Sequence, residues 1–190
     1  MNRTLSLIFT VSVIHLLALS SDTNAQVNLS VGIRGGFSSF EEPIGSGPQF
    51  GGHVSVKVAP KVDFEVMAEL FSSTWDEEEN QLETVWRNLL TGVTGRYNFS
   101  PPAGSVIPYI GAGMCLHRIT KEFSSSALGV TPPARQSSTE GCMHALSGVK
   151  FNLTAVPISI FVEARYMAVG DEKTPDFPSL LVGATLNILD

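Results

Sequence analysis

After residue 25 the chain has no long apolar run, and this absence removes a whole class of membrane proteins. No segment there reaches 18 continuous apolar residues, so no transmembrane helix is predicted. The chain also lacks an excess of positive charge, with 12 Lys and Arg against 18 Asp and Glu and a net charge of −6. That balance argues against nucleic acid as a partner. No Pro- or Ser-rich linker divides the chain, so we expect a single domain.

The first 25 residues have the composition of a cleaved signal peptide. Arg3 supplies a positive charge, residues 5–19 are apolar with short polar interruptions, and Thr23-Asn24-Ala25 offers small residues at the positions that a signal peptidase reads. The stretch is too short and too interrupted for a membrane helix. Cleavage after Ala25 is predicted to leave one domain at 26–190, about 165 residues long.

What this domain does have is two-residue alternation of apolar and polar side chains. Within residues 27–37 Val, Leu, Val, Ile and Phe fall on odd numbers, and the even numbers are mostly polar or glycine. Such alternation is typical of a strand with two unlike faces. It recurs and predicts eight strands, at 27–37, 50–58, 62–70, 85–99, 106–119, 140–153, 157–166 and 179–189.

The predicted connections alternate in length. Those near 59–61, 100–105 and 154–156 are short, whereas those near 38–49, 72–84, 120–139 and 167–178 are longer and polar. An even number of antiparallel strands, with short turns at one end and long loops at the other, describes an all-β, up-and-down transmembrane barrel of the outer membrane. The N- and C-termini and the short turns would then be periplasmic, and the long loops extracellular.

The total side-chain volume of each face decides which face lies inside the barrel. The apolar faces carry roughly 30 side chains, whereas an eight-stranded interior is only just wide enough to be filled by side chains, about a dozen in TIM-type barrels. The apolar faces are therefore predicted to meet lipid, and a soluble, periplasmic lipocalin-like carrier with an apolar interior is the alternative. The polar faces carry charges of both signs, which we expect to pair in the lumen: Arg34, Lys57, Asp63, Glu65, Glu69, Arg96, Lys150, Glu163 and Arg165.

With this pattern the chain resembles the bacterial outer-membrane β-barrel domain family, the small eight-stranded OmpA/OmpX-type proteins. The resemblance covers essentially all of 26–190 and rests on short motifs that begin at Val31-Gly32-Ile33, Pro108-Tyr109-Ile110, Phe161-Val162-Glu163 and Val182-Gly183-Ala184. Members of the family usually end on an aromatic residue that the barrel assembly machinery reads. This chain instead reads Ile188-Leu189-Asp190 at that place.

Cysteine is scarce, with 2 in the chain, and each starts a Cys-x-His sequence, at Cys115 and Cys142. If residues whose numbers add to 257 pair across this hairpin, Cys115 faces Cys142 and all four Cys and His side chains point into the lumen. An oxidising compartment favours a disulfide between them, worth roughly 3 kcal/mol for a loop of about 25 residues. The alternatives are two free thiols or a zinc or copper site, with the ligands Cys115, His117, Cys142 and His144.

An enzyme of the outer membrane is a further alternative. Some small barrels act on lipid A or phospholipids with His, Ser and acidic groups near the rim. His53, His144 and Ser147 offer such groups, but Ser147 falls on the lipid-facing phase and the sequence places no acidic partner. We therefore expect no catalytic residues and no cofactor.

The remaining features point to the surface of the barrel. Trp75 and Trp86 fit anchors at the membrane interface, and the loop at 120–139 offers a contact surface. The expected function is a structural or surface-interaction role in the outer membrane, without a wide solute pore because the lumen is filled. The expected partners are outer-membrane lipid, the assembly machinery during biogenesis and an extracellular partner at the long loops. A small-ligand or ion-binding barrel is the alternative.

Overall fold

A computed structural model of the chain describes residues 28–39, 45–77, 82–99, 105–125, 135–153, 155–170 and 176–188. They form a closed barrel in which each strand pairs antiparallel with the next and the last pairs with the first. No helix among these residues is long and apolar enough to cross a membrane. The eight-stranded antiparallel fold predicted from the alternation is confirmed, with strands β1 (Asn28–Ser39), β2 (Ser46–Ala59), β3 (Val62–Glu77), β4 (Leu82–Asn98), β5 (Val106–Ser125), β6 (Arg135–Asn152), β7 (Ile158–Val169) and β8 (Phe177–Asn187).

The strands are longer than predicted at the end of the barrel that carries the β3–β4 and β5–β6 connections, here called the loop end. The predicted loops at 38–49, 72–84, 120–139 and 167–178 were wrong for much of their length, because the connections span only 40–45, 78–81, 126–134 and 170–176. Most of the predicted strands ended close to the place where their outward side chains stop being apolar. Backbone pairing continues into that polar region, where Glu77 pairs with Leu82 and Glu122 with Arg135.

The register of the β5–β6 hairpin is confirmed. Cys115 pairs with Cys142 and Tyr109 with Gly148, as the sum of 257 requires. At the opposite end of the barrel, here called the turn end, Lys57 lies directly opposite Asp63, with a register shift beyond Lys57. The predicted signal peptide lies outside the described residues.

The outward face is apolar over the middle of every strand. Ile33 is 72% exposed and Met114 65%, and on β5 this apolar belt runs over eleven residues, from Val106 to Leu116, before Arg118 follows. Exposed aromatic side chains mark both margins of the belt: Phe37, Phe50 and Tyr166 towards the loop end, and Phe64, Tyr97, Phe99 and Phe151 towards the turn end. The prediction that the apolar faces point outward is confirmed, and a soluble barrel with an apolar interior does not fit.

The stagger of the strands sets the width of the lumen. A path of directly opposed residues leaves β1 at Asn28, crosses every strand in turn and returns to β1 at Ser38, so the pairing advances by ten residues around the barrel. The TIM barrel has the same number of strands and a stagger of 8. Because stagger and size are linked, this barrel has room inside for long charged and aromatic side chains.

Inward-facing glycines give these large side chains their space. Gly148 lies directly opposite Tyr109, and Gly183 lies opposite Phe161. A Cβ at Gly148 would lie 2.5 Å from the Tyr109 ring and 2.6 Å from the Val162 carbonyl oxygen. Each of these aromatic rings therefore occupies the place that a side chain on the neighbouring strand would take.

We predict that Gly148→Ala destabilises the barrel by about 1–3 kcal/mol, because the new methyl group overpacks the lumen. The matched control is Gly95→Ala on the outward face, where the nearest atom to a Cβ belongs to Phe64 at 3.7 Å. The control should change the free energy of unfolding by less than about 0.5 kcal/mol. Urea unfolding in detergent, followed by electrophoresis without boiling, measures both variants. Equal midpoints for the two variants would contradict this account of the packing.

Candidate functional site

The lumen is filled in three layers, and β7 shows their order. Ser159 and Phe161 line a cavity at the turn end, Glu163 and Arg165 belong to a group of buried charges, and Met167 belongs to an apolar cluster towards the loop end. On β3 the two inner layers interleave, because Met67 of the apolar cluster lies between Glu65 and Glu69 of the buried charges. The candidate site is therefore the whole interior, which changes from polar to ionic to apolar along the barrel axis.

The middle layer, here called the central ion cluster, consists of three arginines and three glutamates. Their side chains come from β1, β3, β4 and β7, and five of the six are fully buried, Arg96 being 10% exposed at its side chain. The numbers of positive and negative charges are equal, as burial in a confined lumen requires. The members are Arg34, Glu65, Glu69, Arg96, Glu163 and Arg165.

Each carboxylate of the central ion cluster contacts at least two arginines. Glu65 lies 2.5 Å from both Arg34 Nη2 and Arg96 Nη2, and Glu163 lies 2.7 Å from Arg165 Nη2 and 3.0 Å from Arg96 Nη2. Glu69 lies 2.9 Å from Arg165 Nη1 and 3.1 Å from Arg34 Nε. Removal of any one member would leave a buried charge without its partner.

Neutral side chains extend the central ion cluster to the barrel wall. The Tyr109 hydroxyl donates a hydrogen bond of 3.1 Å to Glu163, and the Gln49 amide donates to Glu69. His53 Nε2 lies 3.1 Å from the Thr185 hydroxyl. Gln49 was missed by the sequence analysis because it fell in a predicted loop, although it occupies an inward position of β2.

The predicted lumen charges separate into two groups. Six of the nine form the central ion cluster, whereas Lys57, Asp63 and Lys150 line the cavity at the turn end. There Lys150 Nζ lies 3.8 Å from Asp63, and the Asn98 amide donates to Asp63 at 2.8 Å. The sequence placed all nine on inward positions but carried no signal for their distance along the barrel axis.

Towards the loop end the lumen is closed by a layer that the sequence analysis did not predict, here called the apolar cluster. Trp86 was predicted as an interface anchor, and this was wrong: it faces inward, is 5% exposed and has Lys121 Nζ 4.0 Å from its ring centre. The side chain of Trp75 lies outside the described part of the structure. The members of the apolar cluster are Met67, Phe71, Trp86, Leu90, Cys115, Ile119, Cys142, Met167 and Phe177.

The two cysteines are joined in a disulfide within the apolar cluster, with their Cα atoms 4.9 Å apart. The two histidines considered with them as metal ligands bond elsewhere: His117 Nε2 lies 3.1 Å from Asn88, and His144 Nε2 lies 2.8 Å from Thr94. Among the described residues, no group of three or more His, Cys, Asp or Glu is placed to hold a metal ion. The arrangement therefore favours a covalent link between β5 and β6 over a metal centre.

The residues considered for an enzyme do not come together. His53 and His144 hydrogen-bond to threonines inside the lumen, whereas Ser147 lies exposed on the outward face. A nucleophile must lie within hydrogen-bond reach of its base. Ser147 and these two histidines are on opposite faces of the barrel wall.

No protein-family model matches the chain, and no curated protein matches its sequence. Solved structures match it in three dimensions. Neisserial surface protein A has a TM-score of 0.67 at 18% identity, over 84% of this chain and 97% of that one. Ail, the attachment invasion locus protein of Yersinia pestis, solved with the heparin analogue sucrose octasulfate, has a TM-score of 0.61 at 11% identity, over 86% and 100%. A major outer membrane protein from Thermus thermophilus has a TM-score of 0.62 at 13% identity, over 84% and 99%.

The match extends over nearly the whole length of each of these proteins. The chain has the fold of the small outer-membrane β-barrels. The N-terminal β-barrel domain of Pseudomonas aeruginosa OprF, with a TM-score of 0.50 at 19% identity, shares this fold. The predicted resemblance to OmpA/OmpX-type barrels is confirmed at the level of the fold.

We predict that Glu163→Gln destabilises the barrel by about 3–5 kcal/mol, because three buried arginines are then left with two carboxylates. The matched control is Glu122→Gln, which removes an equal charge from a pair with Arg87 in which the side chains of Arg87 and Glu122 are 66% and 29% exposed. The control should lower the free energy of unfolding by no more than about 1 kcal/mol. Urea unfolding in detergent measures both variants, and a smaller loss for Glu163→Gln than for Glu122→Gln would sink the argument.

Proposed function

We propose that the protein is an integral outer-membrane barrel with a structural or surface-interaction role, and that it is not a solute pore. The observation that carries this proposal is a filled lumen behind an apolar exterior. Wide barrels leave an aqueous channel, whereas an eight-stranded interior can be filled by its side chains. Here the central ion cluster and the apolar cluster lie in series along the axis, so a solute would have to displace both.

The outer surface supports insertion in a bilayer. The barrel is closed, so the backbone groups of its strands pair with neighbours all the way round, as a membrane interior demands. The apolar belt encircles the barrel and is far larger than the exposed apolar patches of soluble monomers. Its eleven residues on β5, from Val106 to Leu116, match the nine to eleven or so that a tilted strand needs to cross the hydrocarbon core, and aromatic margins are typical of such barrels.

The loop end and the turn end of the barrel differ, and we infer the orientation of the barrel in the membrane and its partners from this difference. We place the termini and the turn end in the periplasm and the loop end outside the cell, with residues 1–25 as the export signal and the assembly machinery and outer-membrane lipid as partners. The long hairpins support a surface role, because their outward side chains beyond the belt are polar, among them Arg87, Arg118 and Glu122. These hairpins and the loops that they carry would contact an extracellular partner.

The role that we propose is non-enzymatic. It is supported by the placement of Ser147 on the lipid-facing side, away from the lumen histidines. The buried carboxylates that could serve as acids or bases are each engaged by two or more arginines. An engaged carboxylate is poorly suited to take a proton from a substrate, and the proposal includes no cofactor.

Fractionation of cells that express the full chain tests the membrane assignment. We expect recovery in the outer membrane, migration in electrophoresis that changes on boiling because the barrel resists detergent, and a mass for a chain that begins at Gln26. An outer-membrane porin and a soluble periplasmic protein are the two reference samples. A soluble protein without a boiling-dependent shift would overturn the proposal.

Reconstitution in planar bilayers tests the absence of a pore. We expect no stable conductance steps and no uptake of small sugars by proteoliposomes, because the central ion cluster and the apolar cluster close the lumen. A wide porin in the same lipid provides the positive reference. Steady conductance that scales with the amount of folded protein would show an open path and contradict the filled lumen.

A further inference from the structure

The turn end of the lumen holds a cavity that the proposed structural role does not use. Its volume is about 110 Å³, enough for several water molecules or for one tetrahedral oxyanion. Its wall is mostly polar and combines amides, hydroxyls and charged side chains with the apolar residues Pro60, Ile107 and Phe161. The amide and hydroxyl residues are Asn28, Asn98, Asn152, Asn187, Ser30, Ser55, Ser159 and Thr185.

The charges of the cavity wall leave a positive excess. Lys57 and Lys150 face a single carboxylate, Asp63, which already accepts from Asn98 at 2.8 Å and lies 3.8 Å from Lys150. Arg96 also lines the cavity, but its Nη2 is engaged by Glu65 and Glu163 of the central ion cluster. Two ammonium groups against one carboxylate favour an anion in this space.

The cavity wall also offers an amide donor. The Ser30 hydroxyl donates a hydrogen bond of 3.0 Å to Asn187 Oδ1. Because the oxygen of this amide is already engaged, Asn187 would offer its Nδ2 hydrogens to a ligand. An oxyanion accepts hydrogen bonds from amide and ammonium groups, so it suits the donors of this wall.

We propose that this cavity binds a small, phosphate-sized oxyanion from the compartment at the turn end. Lys57 and Lys150 supply the charge, and the Asn187 amide supplies a further hydrogen-bond donor at the wall. Asp63 lies in the same wall and disfavours ligands of high negative charge. The site goes beyond the structural role of the barrel and does not depend on the loops.

Calorimetric titration of the folded, full-length mature barrel in detergent with inorganic phosphate tests this site, with chloride added to hold the ionic strength constant. We expect saturable binding at one site, weakened about tenfold by Lys57→Gln or by Lys150→Gln, because each removes a charge-assisted contact. The matched control is Lys61→Gln, which removes the same charge from an exposed position in the adjacent turn. It should weaken binding by less than about twofold.

Two further measurements distinguish loss of the site from loss of the fold. Each variant is first shown to keep the boiling-dependent migration of the folded barrel, and Lys150→Arg, which retains the charge, should bind within about threefold of the original chain. The site is rejected if phosphate gives no saturable heat with the original chain. It is equally rejected if Lys61→Gln weakens binding as much as Lys150→Gln.

Discussion

The pairing of three arginines with three glutamates in the lumen is the interaction on which the rest of the structure depends. A buried charge without a partner costs several kcal/mol, and the six charges of the central ion cluster come from β1, β3, β4 and β7. Arg34 on β1 reaches Glu163 on β7 only when β8 has closed the barrel between them. A partly closed sheet would leave these charges mismatched, so the cluster and the closed barrel form together or not at all.

The fold and the register of the β5–β6 hairpin could be read from the sequence, because each outward position must satisfy one simple condition. Lipid accepts only apolar side chains, so apolar outward residues alternate cleanly with the inward residues of β1 or β7 and reveal the strand and its phase. The ends of the strands could not be read in the same way. Beyond Leu116 the outward positions of β5 lie past the apolar belt, and polar side chains there look like a loop although the backbone still pairs.

The interior obeys no such single condition, and this is where sequence analysis failed. An inward position tolerates a charge, an amide, a glycine or a large apolar side chain, depending on which residues from other strands lie at the same level along the barrel axis. Glu65, Met67 and Glu69 all point inward on β3, yet Met67 joins the apolar cluster and its two neighbours join the central ion cluster. The position of a residue along the barrel axis, relative to residues on the other strands, is set by the stagger of ten residues around the barrel. The alternation within a single strand carries no information about this stagger.

The buried disulfide has a consequence for the order of events during biogenesis. Cys115 and Cys142 are 6% and 5% exposed inside the closed barrel, within the apolar cluster, so an oxidising enzyme has no access to them once the wall is complete. Oxidation by an enzyme would then precede closure of the barrel. The β5–β6 hairpin would then reach the membrane with its two strands already linked in register by the disulfide. The remaining strands would pair onto this preformed hairpin.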